Sequence, residues 1–488
     1  MTLSPALPTV RPTVGPALRC PDCGAHPVLT PTPSQPLPGG TFGLLRCACT
    51  TYPQIDDIPV LRRGRIDSQD HLTGRCEVAG PTADELVALL AADRPLDALV
   101  ALLAFPPPAP SSRPGLRLPF TRGPWPRVAL AARRAEVRAM LAEHDRLTAQ
   151  DWMELAYARS SDRIDDELLP YFLARFGQPR FLATMSLLQA LPSLPDDASR
   201  PVLDLACGFG HVAHHLAARR DPRAVVGVDR NFLQLWVARR YVAPSQRFVC
   251  ADRVDALPFD DDAFAASVCS DAFHYFDVQQ GALDELRRVA VADTVLLDRL
   301  GNVRLAPTDG PLERDAAGYV RLLRGAPWRL TCEDELLADY LAGYGPQLAS
   351  PRHPAELDAA KWLMLVTSTD PRVFADHGAF AEPPHAAGRP TLNPVFEVTP
   401  DDDGVELAFR FPSTWYAFEN AAMRGYTSAG ERLDASTYAA LLAGRPSERT
   451  ADLLRGFVLL GMPERYRRPP GGSGPSVVRG LARGLLRR

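Results

Sequence analysis

Val202-Leu203-Asp204-Leu205-Ala206-Cys207-Gly208-Phe209-Gly210-His211 is the stretch on which the fold turns. A short apolar run enters two closely spaced glycines, and a helix is expected from about His211 to Arg219. Glycine suits such a turn because a side chain there blocks a ligand lying along the backbone. The helix that follows offers free N–H groups to a carboxylate or phosphate. Alone, the pattern is ambiguous, since Gly208, Gly210 and Ala213 also satisfy the dinucleotide spacing G-x-G-x-x-G/A.

The neighbouring residues separate the two readings. From Pro201 to about Asn302 apolar strands alternate with amphipathic helices, which implies βαβ units and a parallel sheet. Asp204 lies inside the first strand, where dinucleotide folds usually carry an apolar residue. Val225-Val226-Gly227-Val228-Asp229 is a second strand ending in an acid suited to two ribose hydroxyls, which fits both ligands. Arg247 to Val249 then runs through Cys250-Ala251 into Asp252, with Leu257-Pro258-Phe259 and the acidic loop Asp260 to Asp262 behind it. A fourth strand is expected at Ala265 to Cys269, followed by Ser270-Asp271-Ala272-Phe273-His274-Tyr275 and a helix from Gly281 to Val289.

In order and spacing this region resembles the class I S-adenosylmethionine-dependent methyltransferase family, over about a hundred residues. The resemblance implies an α/β, Rossmann-like seven-stranded sheet that binds S-adenosylmethionine at the C-terminal edge of its strands. Carried over position by position, Asp204, Gly208 and Gly210 would line the methionine part, with Ala206 standing where the family often has its first glycine. Asp229, with Arg230 beside it, would hold the ribose, and Asp252 with Arg253 would flank the adenine. The family's proline-glycine-glycine turn before the fifth strand is absent. Val289 to Asp293 passes straight into Thr294 to Leu297, so that strand's geometry is the element expected to deviate. A degenerate copy without cofactor and a dinucleotide enzyme are the competing readings of the same region.

Cys20-Pro21-Asp22-Cys23 and Cys47-Ala48-Cys49 form two cysteine pairs on either side of a proline-rich excursion. Four thiolates from two short knuckles can close a tetrahedron around zinc, and a segment this small otherwise lacks a core. Cys20, Cys23, Cys47 and Cys49 are therefore the candidate ligands, with His26 as a substitute; a metal-free ribbon with reduced thiols is the alternative. With Tyr52-Pro53-Gln54-Ile55-Asp56-Asp57-Ile58-Pro59-Val60-Leu61, this segment resembles the small zinc-ribbon family that activates transfer-RNA and release-factor methyltransferases as a separate subunit. Asp57 replaces that family's glycine, and the second pair is C-x-C. The resemblance implies a ribbon fused in cis and packed on the methyltransferase core. Cys207, Cys250 and Cys269 fall at strand ends and are read as packing residues; Cys76 and Cys332 have no partner at ligand spacing.

Methyl transfer is an in-line displacement at a sulfonium carbon, so positioning supplies much of the acceleration. A base is needed only for an alcohol, a cationic amine or a carbon acid. His274 and Tyr275, just past strand four, and then Asp271 are the candidates for acceptor contact or base. No Asn-Pro-Pro-Tyr or Asp-Pro-Pro-Tyr follows strand four, which argues against a planar base or glutamine nitrogen as acceptor. A small-molecule or carrier-bound acceptor gains weight, with a non-catalytic scaffold or an RNA methyltransferase as the alternatives.

The full chain has 488 residues, enough for about three domains. The ribbon spans 18–65, a helical region 82–191 with a proline-rich linker at 106–126, the cofactor-binding core 198–302, a C-terminal α+β cap with the remaining strands 303–464, and a basic tail 465–488. Tyr319 to Tyr344 reads as helical. Pro394 to Val398 and Val405 to Phe411 read as a hairpin, and Ala435 to Leu442 and Ser447 to Leu460 as helices. Trp328, Trp362, Trp415, Tyr416 and Phe418 are aromatic candidates for the acceptor pocket. The tail carries seven arginines and no acid and reads as solvated, with RNA or an anionic membrane surface as alternative partners. Net charge is −4, so no global field draws the chain to nucleic acid or membrane. No apolar run of about 18 residues and no signal-like N-terminus is seen, so a cytoplasmic protein with reduced cysteines is expected. Lys361 is the only lysine against 53 arginines, since lysine and arginine together number 54; that skew suggests a GC-rich bacterial genome.

Overall fold

The computed structural model describes residues 16–66, 80–104, 125–157, 163–193, 200–218, 225–305, 312–380 and 382–469. Most of the proline-rich linker, Cys76 and the tail beyond Pro469 lie outside these residues.

The cysteine-bearing segment folds as an antiparallel four-stranded sheet in the order β1 (Val28–Pro31), β2 (Gly43–Arg46), β3 (Thr51–Ile55), β4 (Ile58–Pro59). Asp56 and Asp57 turn the chain between β3 and β4 in the left-handed region, at φ 55° and 63°. Aspartate is one of the few non-glycine residues that tolerate this conformation, so the turn survives without glycine.

The core sheet has seven strands: β5 (Val202–Leu205), β6 (Val225–Asp229), β7 (Arg247–Cys250), β8 (Ala266–Ser270), β9 (Val295–Gly301), β10 (Trp328–Cys332) and β11 (Trp362–Thr367). Their order is β10-β11-β9-β8-β5-β6-β7. β5 to β9 run parallel, and β11 inserts antiparallel between β9 and β10. Strands buried on both faces must be apolar throughout, and every residue of β5, β9 and β11 is buried. The chain leaves β5 toward β6 on one side and reaches β8 on the other, which opens a crevice at the C-terminal ends of β5 and β8.

Two readings change, one of them the expected helix Ser447 to Leu460, which runs only over Thr450–Arg455 before a strand, Leu459–Met462. The stretch 319–344 is not continuous helix: helices Ala316–Arg321 and Glu333–Leu341 flank β10, whose residues pair with β11 along its whole length. Periodicity had merged a short edge strand with the helices around it. The fifth strand pairs with β8 in regular parallel register but deviates on its other edge, where a bulge shifts its pairing with β11. Ala292 and Asp293, both at φ 53°, make the reversal that glycines make in the family pattern.

Helices 83–91 and 95–103 pack beside the ribbon, and helices 163–173 and 179–187 approach the C-terminal edge of the sheet. The C-terminal region adds two small sheets: β12 (Arg389–Leu392) with β16 (Leu459–Met462), and the meander β13 (Phe396–Pro400), β14 (Gly404–Phe409), β15 (Gly430–Asp434). The start of the expected solvated tail is docked. Tyr466 is fully buried and donates to Phe172 O at 2.6 Å, while Arg468 pairs with Asp151 at 3.0 Å.

Candidate cofactor and acceptor site

The glycine turn after β5 forms the floor of a cavity of about 250 Å³ at the switch point. Ala206, Gly208 and Gly210 all take positive φ, at 60°, 52° and 74°. A Cβ on Gly210 would meet Ala238 Cβ at 3.0 Å, so this glycine lets the turn pack on the core. A Cβ on Gly208 would meet only Gln234 Oε1, at 3.5 Å, so its role is the left-handed backbone. Ala206 holds the same conformation with a side chain, at about 1–2 kcal/mol of backbone strain.

Acids line one wall in sequence. Asp204 is buried, and its Oδ2 has no hydrogen-bond partner among the described residues. Burial, reinforced by the nearby charge of Asp229, pushes its carboxyl up to about 8. Asp229 accepts from Gly208 N at 2.9 Å and Asn231 N at 2.8 Å. Two bonds leave a carboxylate with unused lone pairs for further donors. Its carboxyl is raised by burial, which those backbone N–H groups partly offset. Asp252 lines the next part of the cavity, with Ala251 and Val254. An orphaned buried carboxylate, a second acid with spare acceptor capacity and a glycine floor together can accept hydrogen bonds from a ligand's N–H and O–H groups while its body lies along the backbone.

Arg230 also lines the cavity, but Arg253 does not. Its guanidinium, about half exposed, faces the ribbon, 3.7 Å from Asp22 and 3.3 Å from Pro21 O. The arginine that reaches Asp252 is Arg62, which donates to it at 3.1 Å and to Arg230 O at 2.9 Å. Arg62 belongs to the ribbon, 190 residues away in sequence, so no local spacing pointed to it.

At the other end, Ser270, Asp271, Ala272, Tyr275 and Phe276 line the cavity after β8. His274 does not: it is buried in the turn Phe273–Tyr275, its ring 4.1 Å from that of Tyr275 and 6.2 Å from that of Trp362. Asp271, at φ 57°, is surrounded by cations. It accepts from Arg299 at 2.7 Å, Arg175 at 3.3 Å, Arg180 at 3.5 Å and the Tyr171 hydroxyl at 2.8 Å. Burial alone would raise its carboxyl, but the guanidiniums of Arg299, Arg180 and Arg175 outweigh that and hold it well below the carboxylate range. Of the five aromatic candidates only Trp415 lines the cavity; Tyr416 is core and Phe418 is exposed. Tyr171, Phe172 and Arg175 from the preceding helical segment and Glu419 from the C-terminal region complete the wall. Sequence reading missed these because they converge only through tertiary packing.

The ribbon cysteines converge as well. Cys20, Cys23, Cys47 and Cys49 place their Sγ atoms within 4.8 Å of one another, with the closest pairs at 3.4, 3.6, 3.6 and 4.0 Å. A tetrahedral zinc–thiolate unit with bonds of about 2.3 Å has sulfur–sulfur edges of roughly 3.8 Å. His26 is not in this group; it bonds Leu18 O at 2.9 Å and lies 3.6 Å from Asp260. The ribbon extends the core sheet: Val60 bridges Cys250 in parallel and Leu61 N donates to Cys250 O at 2.8 Å. Asp56 receives Trp236 Nε1 at 2.8 Å and Arg240, and Asp57 receives Arg239 at 2.7 Å. Leu18, Leu45, Tyr52 and Leu61 share one apolar cluster with β5 to β9.

Residues 202–293, which hold β5 to β8 and the glycine turn, match the sequence family described as "Methyltransferase domain". Among curated proteins the chain is similar to the demethylmenaquinone methyltransferase of Thermus thermophilus, 39% identical over 97 residues. That match covers 19% of this chain and 44% of the relative. The enzyme of the same name from Clavibacter sepedonicus is 42% identical over 94 residues, 19% of this chain and 37% of the relative. The chain thus spans less than half the length of either curated relative. Similar solved structures include a complex of the Haloferax volcanii Trm112 methyltransferase activator, at 18% identity and TM-score 0.30, covering 42% of this chain and 96% of that one. Another is the geranyl diphosphate C-methyltransferase of Streptomyces coelicolor with S-adenosyl-L-homocysteine, at 16% identity and TM-score 0.26, covering 35% and 69%. No described helix is long and apolar enough to cross a membrane.

Proposed function

We propose that this protein is an S-adenosylmethionine-dependent methyltransferase acting on a small or carrier-bound acceptor, with its ribbon fused in cis as a zinc-holding support. The observation that carries this reading is the unpartnered buried carboxylate of Asp204 in a cavity that also presents Asp229 and Asp252. When bound, the cofactor supplies an activated methyl group on sulfonium. Asp204 would face the cofactor's ammonium, Asp229 its ribose and Asp252 its adenine, the last kept in place by Arg62. Tyr275 contributes the acceptor-facing wall, and His274 supports its ring from behind. Asp271 is held ionised by three arginines, so it serves as their organiser and is a poor proton acceptor at neutral pH. Cys20, Cys23, Cys47 and Cys49 would hold the zinc.

Calorimetric titration of the full chain with S-adenosylhomocysteine, alongside NAD⁺, tests the reading. Binding of the first alone is expected, and Asp229→Ala should weaken it by about 1–3 kcal/mol, the scale of unpaired buried hydroxyls. No binding of S-adenosylhomocysteine would overturn the assignment.

A further inference from the structure

Glu419 ends a six-residue helix, Thr414–Glu419, whose Trp415 and Phe418 are 39% and 72% exposed. Its carboxylate enters the acceptor end of the cavity and accepts from Arg180 at 3.1 Å and Arg299 at 3.2 Å, with Lys361 Nζ at 3.6 Å. The two guanidiniums do not depend on Glu419 for their orientation. Arg180 also bonds Asp271, and Arg299 bonds Asp271 at 2.7 Å and Glu333 at 3.1 Å while stacking on Trp362. Arg299 is aimed into the cavity by a bulge in β9: its φ is 54°, and the register with β11 slips between Leu363 and Leu365. Bulges and left-handed non-glycine residues concentrate where a side chain must be re-aimed for function.

Without Glu419, the cluster holds Arg175, Arg180, Arg299 and Lys361 against Asp271 and Glu333, a positive seat open to the cavity. The chain's single lysine stands at its rim. Resting on the methyltransferase reading, we infer that this seat recognises a carboxylate on the acceptor, that Glu419 occupies it as an internal stand-in until substrate arrives, and that Trp415 and Tyr171 flank the acceptor's body. The seat already coordinates a carboxylate through guanidinium N–H groups, the charge-assisted geometry that favours this anion. The rings of Tyr171 and Trp415, 6.3 Å apart, suit an aromatic or unsaturated acid. Tyr416 and Asn420 anchor this helix in the core, so exchange of one carboxylate for another asks only for rotation of the Glu419 side chain.

The test uses the full chain saturated with S-adenosylhomocysteine and titrated with 2-naphthoate or its neutral isostere 2-naphthamide. Naphthoate should bind and the amide should bind at least about tenfold more weakly. Glu419→Gln, which removes the competing charge while keeping the side chain's bulk, should tighten naphthoate binding by about tenfold. Lys361→Met, a substitution at a half-exposed side chain, should weaken it several-fold with S-adenosylhomocysteine affinity unchanged. Equal binding of acid and amide, no binding of naphthoate to wild type and Glu419→Gln, or unaltered naphthoate affinity in both variants overturns the inference. If S-adenosylhomocysteine binds and naphthoate fails, only this inference falls; if S-adenosylhomocysteine does not bind, the methyltransferase reading falls with it.

Discussion

Asp204 puts a carboxyl group inside the central strand with one oxygen unpartnered, and burial lifts its pKa to about 8. Near neutral pH the free protein therefore keeps most of it protonated. A cationic ammonium beside it requires the ionised form, so binding must expel the proton. The sign follows: affinity for S-adenosylhomocysteine rises as pH rises toward 8, by up to about tenfold per unit, then levels off. Calorimetry in buffers of different ionisation enthalpy should register close to one released proton, and Asp204→Asn should abolish the release. A pH-independent affinity between 6 and 8 would remove Asp204 from the ammonium site. The other residue-scale feature is conformational. Ala206 and Asp271, just past strand ends, and Arg299, in the bulge of β9, are left-handed without being glycine, and all three line the cavity. Their composition gives no hint of this; the positive φ values emerge from how the strand ends and the bulge are held.

Among the elements, the ribbon does most to connect distant parts of the chain. Just past its last strand, Val60 bridges the edge strand β7 of the core sheet, and Arg62, three residues past β4, reaches the acid expected at the adenine. Removing zinc with a strong chelator should lower the melting temperature and weaken S-adenosylhomocysteine binding together, because the knuckles and Arg62 belong to one packed unit. Arg62→Ala should weaken binding several-fold while leaving zinc content intact. Elemental analysis beside calorimetry separates the two, and a chelator-treated protein of unchanged melting temperature would dismiss the metal. The cysteine pairs were visible in the sequence because ligand spacing is local. Arg62 was not, because its partner lies 190 residues away. The edge strand β10 was also hidden, since five residues between two helices carry too little periodicity to stand apart.

Across the molecule, the cofactor domain is wrapped from both ends of the chain, and the wrapping buries histidines. His211 bonds the buried Tyr466 hydroxyl at 2.7 Å, and His385 bonds Tyr340 at 2.9 Å. Burial lowers all of them, His211 strongly and His214 and His385 to about 4. The unfolded chain takes up these protons near the ordinary histidine pKa of about 6.5 while the folded chain refuses them until far lower pH. Stability should therefore drop from pH 6.5 toward 4, by about 1.4 kcal/mol per unit for each such histidine. Denaturant titrations at pH 7 and 5 check this; equal stabilities would mean the histidines are not buried as described. That Asp204, Gly208, Asp229 and Asp252 share one cavity was legible because strand, glycine turn and successive acids are written within about fifty residues of chain. The α/β core and the cysteine cluster followed from the same local rules of periodicity and ligand spacing. Of the opposite wall, Asp271, Tyr275 and Trp415 were legible as candidates, but their neighbours were not. Tyr171, Arg180, Arg299 and Glu419 come from four separate segments, and their proximity is a product of packing between elements that share no sequence pattern.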